Sequence, residues 1–157
     1  MVARQALSHR RSVAFGRSWR DTKGFVVATL DRPELGGEID VVSVHLDFLA
    51  AEQRREQLAV MIEALSPRSR PLIVMGDFNC TWDLEEACVA TLAEALNLHT
   101  YQPKAALFSF PADAPTKRLD WILISEELRF ADYGVLPQQV SDHLAVVATI
   151  APAARRD

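Results

Sequence analysis

Short apolar runs alternate with polar tips along this chain. Residues 23–30 (KGFVVATL) and 39–46 (IDVVSVHL) are rich in β-branched side chains and read as strands. Between them Pro33, Gly36 and Gly37 make a turn, so the pair predicts a hairpin. In the second strand, period two puts Ile39, Val41, Ser43 and His45 on one face and Asp40, Val42, Val44 and Leu46 on the other. Residues 50–65 (AAEQRREQLAVMIEAL) contain no Gly or Pro, and Leu58, Met61, Ile62 and Leu65 recur at helical spacing. Ser66-Pro67 stops that helix. Residues 71–75 (PLIVM) are wholly apolar, as expected of a strand covered on both faces. A second helix is predicted over 84–96, with Asp83 as its N-cap and Glu85 and Glu86 in its first turn. Further strands are predicted around 107–110, over 118–125 (RLDWILIS), over 128–136 and over 145–150, with a proline-rich loop at 111–115. The order predicts an α/β fold with a mixed sheet, two or more layers thick.

Composition adds bounds. The 157 residues are 49% hydrophobic, which suits one domain with a substantial core. No apolar run approaches the roughly 20 residues of a membrane span. The N-terminus has no apolar signal region, and the only cysteines are Cys80 and Cys88, so a reducing, cytoplasmic setting without a disulfide framework is expected. Residues 1–22 carry Arg4, Arg10, Arg11, Arg17 and Arg20 and read as a basic surface loop or edge, before a domain over 23–151 and a tail at 152–157. The formal charge of −4 is mild and leaves phosphate-bearing substrates open, because local fields decide their binding.

Chemistry gathers where strands end. His45-Leu46-Asp47, Gly76-Asp77-Phe78-Asn79, Arg118-Leu119-Asp120 and Ser141-Asp142-His143 each break an apolar pattern. Singly, each acid or imidazole could be a turn former, a helix cap or a satisfied core residue. Together, Asp77, Asp120 and Asp142 beside two imidazoles need a compensating charge. A hard divalent cation with oxygen ligands supplies one, and Mg²⁺ typically takes one or two carboxylates with waters and substrate phosphate. Asn79 can orient a phosphate oxygen without adding repulsion, and the histidines can hold or move protons near neutral pH.

The stretches "VVSVHLDF", "PLIVMGDFNC", "KRLDWILIS" and "VSDHLAVVATI" occur in an order and spacing that resemble the endonuclease/exonuclease/phosphatase (DNase I-like) superfamily. The resemblance covers residues 23–150 and corresponds to the later half to two thirds of such a domain. It implies a four-layered α/β sandwich with mixed sheets, incomplete at the N-terminus, with a pocket at the strand ends. It also implies Mg²⁺ or Mn²⁺ and in-line hydrolysis of a phosphoester by water. By that resemblance Asp77 orients or deprotonates the water and touches metal. Asn79 holds the scissile phosphate, and Asp142 is a metal ligand. His143 contacts the phosphate with Asp120 as its carboxylate partner, and His45 is the other phosphate-side histidine. Arg118 is expected to bind substrate.

Family members carry an earlier Asn-bearing strand and a QE-like motif whose Glu is the chief metal ligand. Neither stands before Lys23. Glu34 and Glu38 lie at the wrong end of the strand leading to His45 to replace it. Weak or no activity of the isolated chain is therefore expected, as is self-association through an exposed sheet edge. The substrate is open among DNA, RNA, phospholipid and small phosphate esters. Arg10, Arg11, Arg17, Arg20, Lys104, Lys117 and Arg118 are candidates for a nucleic-acid groove, whereas Trp82 and Trp121 read as packing residues. Three readings follow: an active metal-dependent phosphodiesterase, a remnant that binds phosphates or a partner, and a plain structural module. The module predicts that the polar tips are scattered in space. The other two predict that they converge.

Overall fold

The computed structural model describes residues 4–16, 23–82 and 87–154. The strands are β1 (Ser8–Ala14), β2 (Gly24–Arg32), β3 (Gly37–His45), β4 (Leu72–Asp77), β5 (Leu98–Thr100), β6 (Asp120–Ser125), β7 (Leu128–Val135) and β8 (Val146–Pro152), and the helices are α1 (Ala51–Leu65) and α2 (Cys88–Ala95). Six strands form one sheet in the order β1-β2-β3-β4-β6-β5, and β7 pairs with β8 in a separate two-stranded sheet. Among the described strands only β3 and β4 pair in parallel, because α1 carries the chain back between them.

The alternation read from the sequence is what divides the core. Val42 and Val44 of β3, Leu72 and Val74 of β4, and Trp121 and Leu123 of β6 pack with Leu58, Met61 and Leu65 of α1 and Val89 and Leu92 of α2. Their neighbours Ile39, Val41, Ile122 and Ile124 face the other way, against Leu128 and Tyr133 of the β7–β8 hairpin. β4 is apolar from Leu72 to Met75 because both its faces are covered there, by helices on one side and by the hairpin on the other. Among the described residues the layers are therefore helices, six-stranded mixed sheet and hairpin, an α/β sandwich of the expected kind.

Several elements differ from the sequence reading. The basic segment, read as a loop or edge, contains edge strand β1, antiparallel to β2. Residues 107–110 form no strand. Phe110 makes one isolated bridge to Lys117 at the base of the proline-rich loop, where Pro111 has no N–H to extend a ladder. β5, three residues long, is too short for periodicity to reveal. α2 starts at Cys88, and the expected cap and acidic first turn, Asp83 to Glu86, lie outside the described residues. β8 runs to Pro152, one residue into the expected tail.

The loop from β3 into α1 is tied down by Asp47, which is buried. Its Oδ1 accepts the backbone N–H groups of Leu49 and Ala50, both at 2.8 Å, and its Oδ2 lies 3.5 Å from Lys23 Nζ. Its own backbone is held from α1: its N–H donates to Gln57 Oε1 at 2.8 Å and its carbonyl accepts from Arg54 Nη1 at 2.9 Å. Burial pushes the Asp47 pKa up, but the two backbone bonds and Lys23 outweigh it and hold the carboxyl below its ordinary value. A depressed carboxyl stabilises the fold above the unfolded pKa and loses that contribution as pH falls through the folded one. Asp47→Ala should cost about 1–3 kcal/mol at neutral pH. The stability gap between wild type and Asp47→Asn should close as pH falls through and below the ordinary carboxylate range. Urea unfolding across that range checks both; a gap that is flat with pH would show that the carboxylate charge contributes nothing.

Candidate functional site

The register of three adjacent strands builds the site. His45 pairs with Asp77 at the end of β3 and β4, and Asp77 pairs with Asp120 across β4 and β6. One row across the sheet therefore carries imidazole, carboxylate, carboxylate. The loop before β8 brings His143 over that row. Its Nδ1 lies 2.7 Å from Asp120 Oδ2, and its Nε2 lies 3.8 Å from Asp77 Oδ2. His45 Nε2 reaches the same Asp77 oxygen at 3.4 Å.

The tip of β4 is locally shaped by its own residues. Asn79 sits at φ 48°, a left-handed conformation that Asn tolerates well. Its backbone N–H donates to Asp77 Oδ1 at 2.8 Å, which closes a tight Asx turn. Its side-chain Nδ2 donates to Leu46 O at 3.1 Å and to Asp77 Oδ2 at 3.2 Å. Both amide hydrogens of Asn79 are thus engaged within the protein, and the residue positions Asp77. Backbone bonds from Leu46 N–H to Asp77 O and from Phe78 N–H to Leu119 O lock this tip to both neighbouring strands.

Asp120 is held by a residue that the sequence reading did not assign. Ser109, fully buried, donates its hydroxyl to Asp120 Oδ2 at 2.6 Å. A lone polar residue inside the apolar run 107–110 was the available signal. Desolvation alone would lower the His143 pKa, yet the hydrogen bond and charge of Asp120, with Asp77 and Asp142, raise it above the ordinary histidine value. Burial raises the Asp77 pKa, and the charge of Asp120 adds to that against the Asn79 N–H and the two histidines.

His45, Asp77 and His143 line an open cleft of about 630 Å³ with Asn79, Thr81, Lys117, Leu119 and Asp142, and with Phe48 and Phe110 as aromatic walls. His45, Asp77, Asn79, Asp142 and His143 all meet there, and Asp120 stands directly behind His143. The scattered arrangement of a plain structural module is not what the fold produces. Arg118 does not join them. It is 3% exposed, its guanidinium stacks 4.0 Å from the Trp121 ring, and it donates to the carbonyls of Tyr101 and Gln102 and to Tyr133 Oη. Its expected substrate role gives way to a core role, because Arg118 precedes β6 and its guanidinium is turned between the Trp121 and Tyr133 rings, where carbonyls take its hydrogen bonds. Of the other basic candidates, Lys117 lines the cleft, whereas Arg11 lies by the C-terminal end of α1, donating to Ala64 O. Arg17 and Arg20 lie outside the described residues. Trp82 packs against Trp121, as expected.

Asp77, Asp120 and His143 bring potential ligand atoms within 4.8 Å of one another. Asp120 Oδ2 and His143 Nδ1 already pair with each other, and the Asp77 carboxylate keeps lone pairs beyond the bonds it accepts from Asn79. Asp142 adds a second carboxylate to the cleft wall. Two hard oxygen donors, one with its pKa raised by burial and like charge, fit a divalent cation of the Mg²⁺ or Mn²⁺ type.

The fold is shared by many solved structures. The human Nocturnin catalytic domain with bound sulfate anion is 21% identical with a TM-score of 0.76, over 94% of this chain and 60% of that one. An endonuclease/exonuclease/phosphatase from Beutenbergia cavernae is 18% identical with a TM-score of 0.78, over 94% of this chain and 46% of that one. A mannosyl-6-phosphatase from Bacteroides thetaiotaomicron is 18% identical with a TM-score of 0.69, over 92% of this chain and 66% of that one. This chain thus spans roughly half to two thirds of the length of these neighbours. No curated protein sequence matches it. The sequence model described as Endonuclease/Exonuclease/phosphatase family matches residues 7–143, the stretch that holds every cleft residue named above, and the chain belongs to that family.

Proposed function

We propose that this protein is a metal-dependent phosphoesterase, most simply a phosphodiesterase that hydrolyses a nucleic-acid or phospholipid-type diester by in-line attack of water. The observation that carries the reading is the row His45–Asp77–Asp120 across three strands, capped by His143 at a solvent-open cleft. A phosphate seated there meets two imidazoles. His143, its pKa raised by Asp120, is a proton-bearing donor to a phosphoryl oxygen, and Asp120 fixes its tautomer. Asp77, steered by Asn79, holds or deprotonates the attacking water, and His45 faces the same oxygen of Asp77. Asp77 and Asp142 would hold Mg²⁺ or Mn²⁺. When bound, the ion neutralises charge on the phosphoryl oxygens and lowers the pKa of a coordinated water.

The reading includes a cytoplasmic setting, in keeping with a cysteine content of two, Cys80 and Cys88, both buried. Among the described residues no helix is long and apolar enough to cross a membrane. It also includes pairing between copies through an open sheet edge such as β1, which sedimentation reads directly.

Turnover of bis-p-nitrophenyl phosphate should require Mg²⁺ or Mn²⁺ and stop in EDTA. Asp142→Asn should raise the metal concentration for half-maximal rate by about tenfold or more. Hydrolysis unaffected by EDTA would overturn the metal assignment. Phosphate or sulfate binding to the cleft with no turnover at any metal concentration would favour a phosphate-binding remnant of the same fold.

A further inference from the structure

Two neighbouring large apolar residues stand in solvent, and the first of them, Phe48, lines the cleft. Phe48 is 63% exposed and Leu49 is 78% exposed. Single exposed apolar side chains are ordinary. This pair differs because the backbone holds it there. Asp47 clamps the N–H groups of Leu49 and Ala50, and Arg54 and Gln57 fix Asp47 from α1. One residue earlier, Leu46 is bonded through both its N–H and its carbonyl to Asp77 and Asn79. The ring of Phe48 is thereby registered to the phosphate-side residues through a short rigid path.

We propose that Phe48 is a stacking platform that selects substrates with an unpaired nucleobase next to the scissile phosphate. The inference rests on the phosphoester reading of the cleft and names its substrate class as single-stranded nucleic acid. Phe48 and Phe110 line the same cleft, and the Phe110 ring lies 4.8 Å from the His143 ring. The rest of the lining combines the apolar Leu119 with the polar His45, Asp77, Asn79, Thr81, Lys117, Asp142 and His143. A hydrocarbon chain laid there would desolvate those polar groups. A base has an apolar face for a ring and polar edges for its surroundings, so it matches them. Lys23 Nζ, paired with Asp47 Oδ2 at 3.5 Å, stands 5.1 Å from the Phe48 centroid and helps to hold the ring in place.

The test is equilibrium binding of a labelled short oligothymidylate to the full chain in EDTA, read by fluorescence anisotropy, beside an abasic strand of the same length. Wild type should bind the thymidylate strand about tenfold more tightly than the abasic one. Phe48→Ala should erase that difference, Phe48→Trp should keep it, and Leu49→Ala should leave it within twofold. Because no catalysis occurs in EDTA, base-dependent binding without later turnover would sink the hydrolase reading and leave this one standing. Equal binding of the two strands, or no binding of either, overturns the platform whether or not bis-p-nitrophenyl phosphate is cleaved. Loss of sedimentation with phosphatidylcholine–phosphatidylserine vesicles in both Phe48→Ala and Leu49→Ala, with strand binding unchanged, would assign the face to a lipid surface instead.

Discussion

Asp120→Asn should lower kcat on a phosphodiester by about 10² to 10⁴ while KM and the unfolding midpoint stay near wild type. The size follows from geometry. Asp120 Oδ2 accepts from Ser109 Oγ at 2.6 Å and from His143 Nδ1 at 2.7 Å, so one carboxylate oxygen holds the imidazole on its scaffold. Asparagine has the same shape and fills the same space. If its amide turns an N–H toward Nδ1, the ring loses its proton there. If it turns its oxygen, the hydrogen bond survives but the negative charge that raises the His143 pKa is gone. Either way fewer molecules present a protonated imidazole to a phosphoryl oxygen. Stability should not fall with activity, because the charge of Asp120 also opposes ionisation of Asp77, and removing it relieves a like-charge contact. Ser109→Ala, which loosens Asp120 without removing it, should cost about tenfold. Steady-state kinetics with thermal unfolding on the same preparations settle the matter. A kcat within tenfold of wild type for Asp120→Asn would remove the pair from the chemistry.

The fold was legible where burial imposes a period. β3 alternates because its two faces meet different layers, and Leu72 to Met75 of β4 are all apolar because both faces are covered there. The tips were legible for the converse reason: an acid at the end of an apolar run is costly unless the fold uses it. What periodicity could not give is register. Nothing in the chain states that His45 stands opposite Asp77 and Asp77 opposite Asp120, since that depends on strand order and on the parallel crossover through α1. The same limit explains Arg118 and Asp47. Each sits next to site residues in sequence, but one is turned into the core against Trp121 and the other into the base of α1. Ser109 was hidden because its partner lies eleven residues away, across a loop.

Gly76→Ala should destabilise the protein by about 3 kcal/mol or more and, in the molecules that fold, cut turnover by about a hundredfold. Gly76 stands between Val44 of β3 and Trp121 of β6, one residue before Asp77. Its φ is +153°, and a Cβ built on it would lie 1.8 Å from Val44 O and 2.8 Å from Val44 C. Both contacts are backbone, so no side chain can rotate away. The strands must part or the chain must turn, and either movement breaks the register that sets His45 beside Asp77. Gly134→Ala is the matched control: Gly134 is also a strand glycine, but nothing lies within 4 Å of the added carbon, and its effect should be within about 0.5 kcal/mol. Urea unfolding measures the first part, and kcat per folded molecule measures the second. If Gly76→Ala unfolds within 1 kcal/mol of wild type and keeps its rate, the close approach of β3 and β4 is not what aligns the site. If both fall, the glycine of GDFN has a physical role of its own: it lets two strand tips come near enough for an imidazole and a carboxylate to share one ligand.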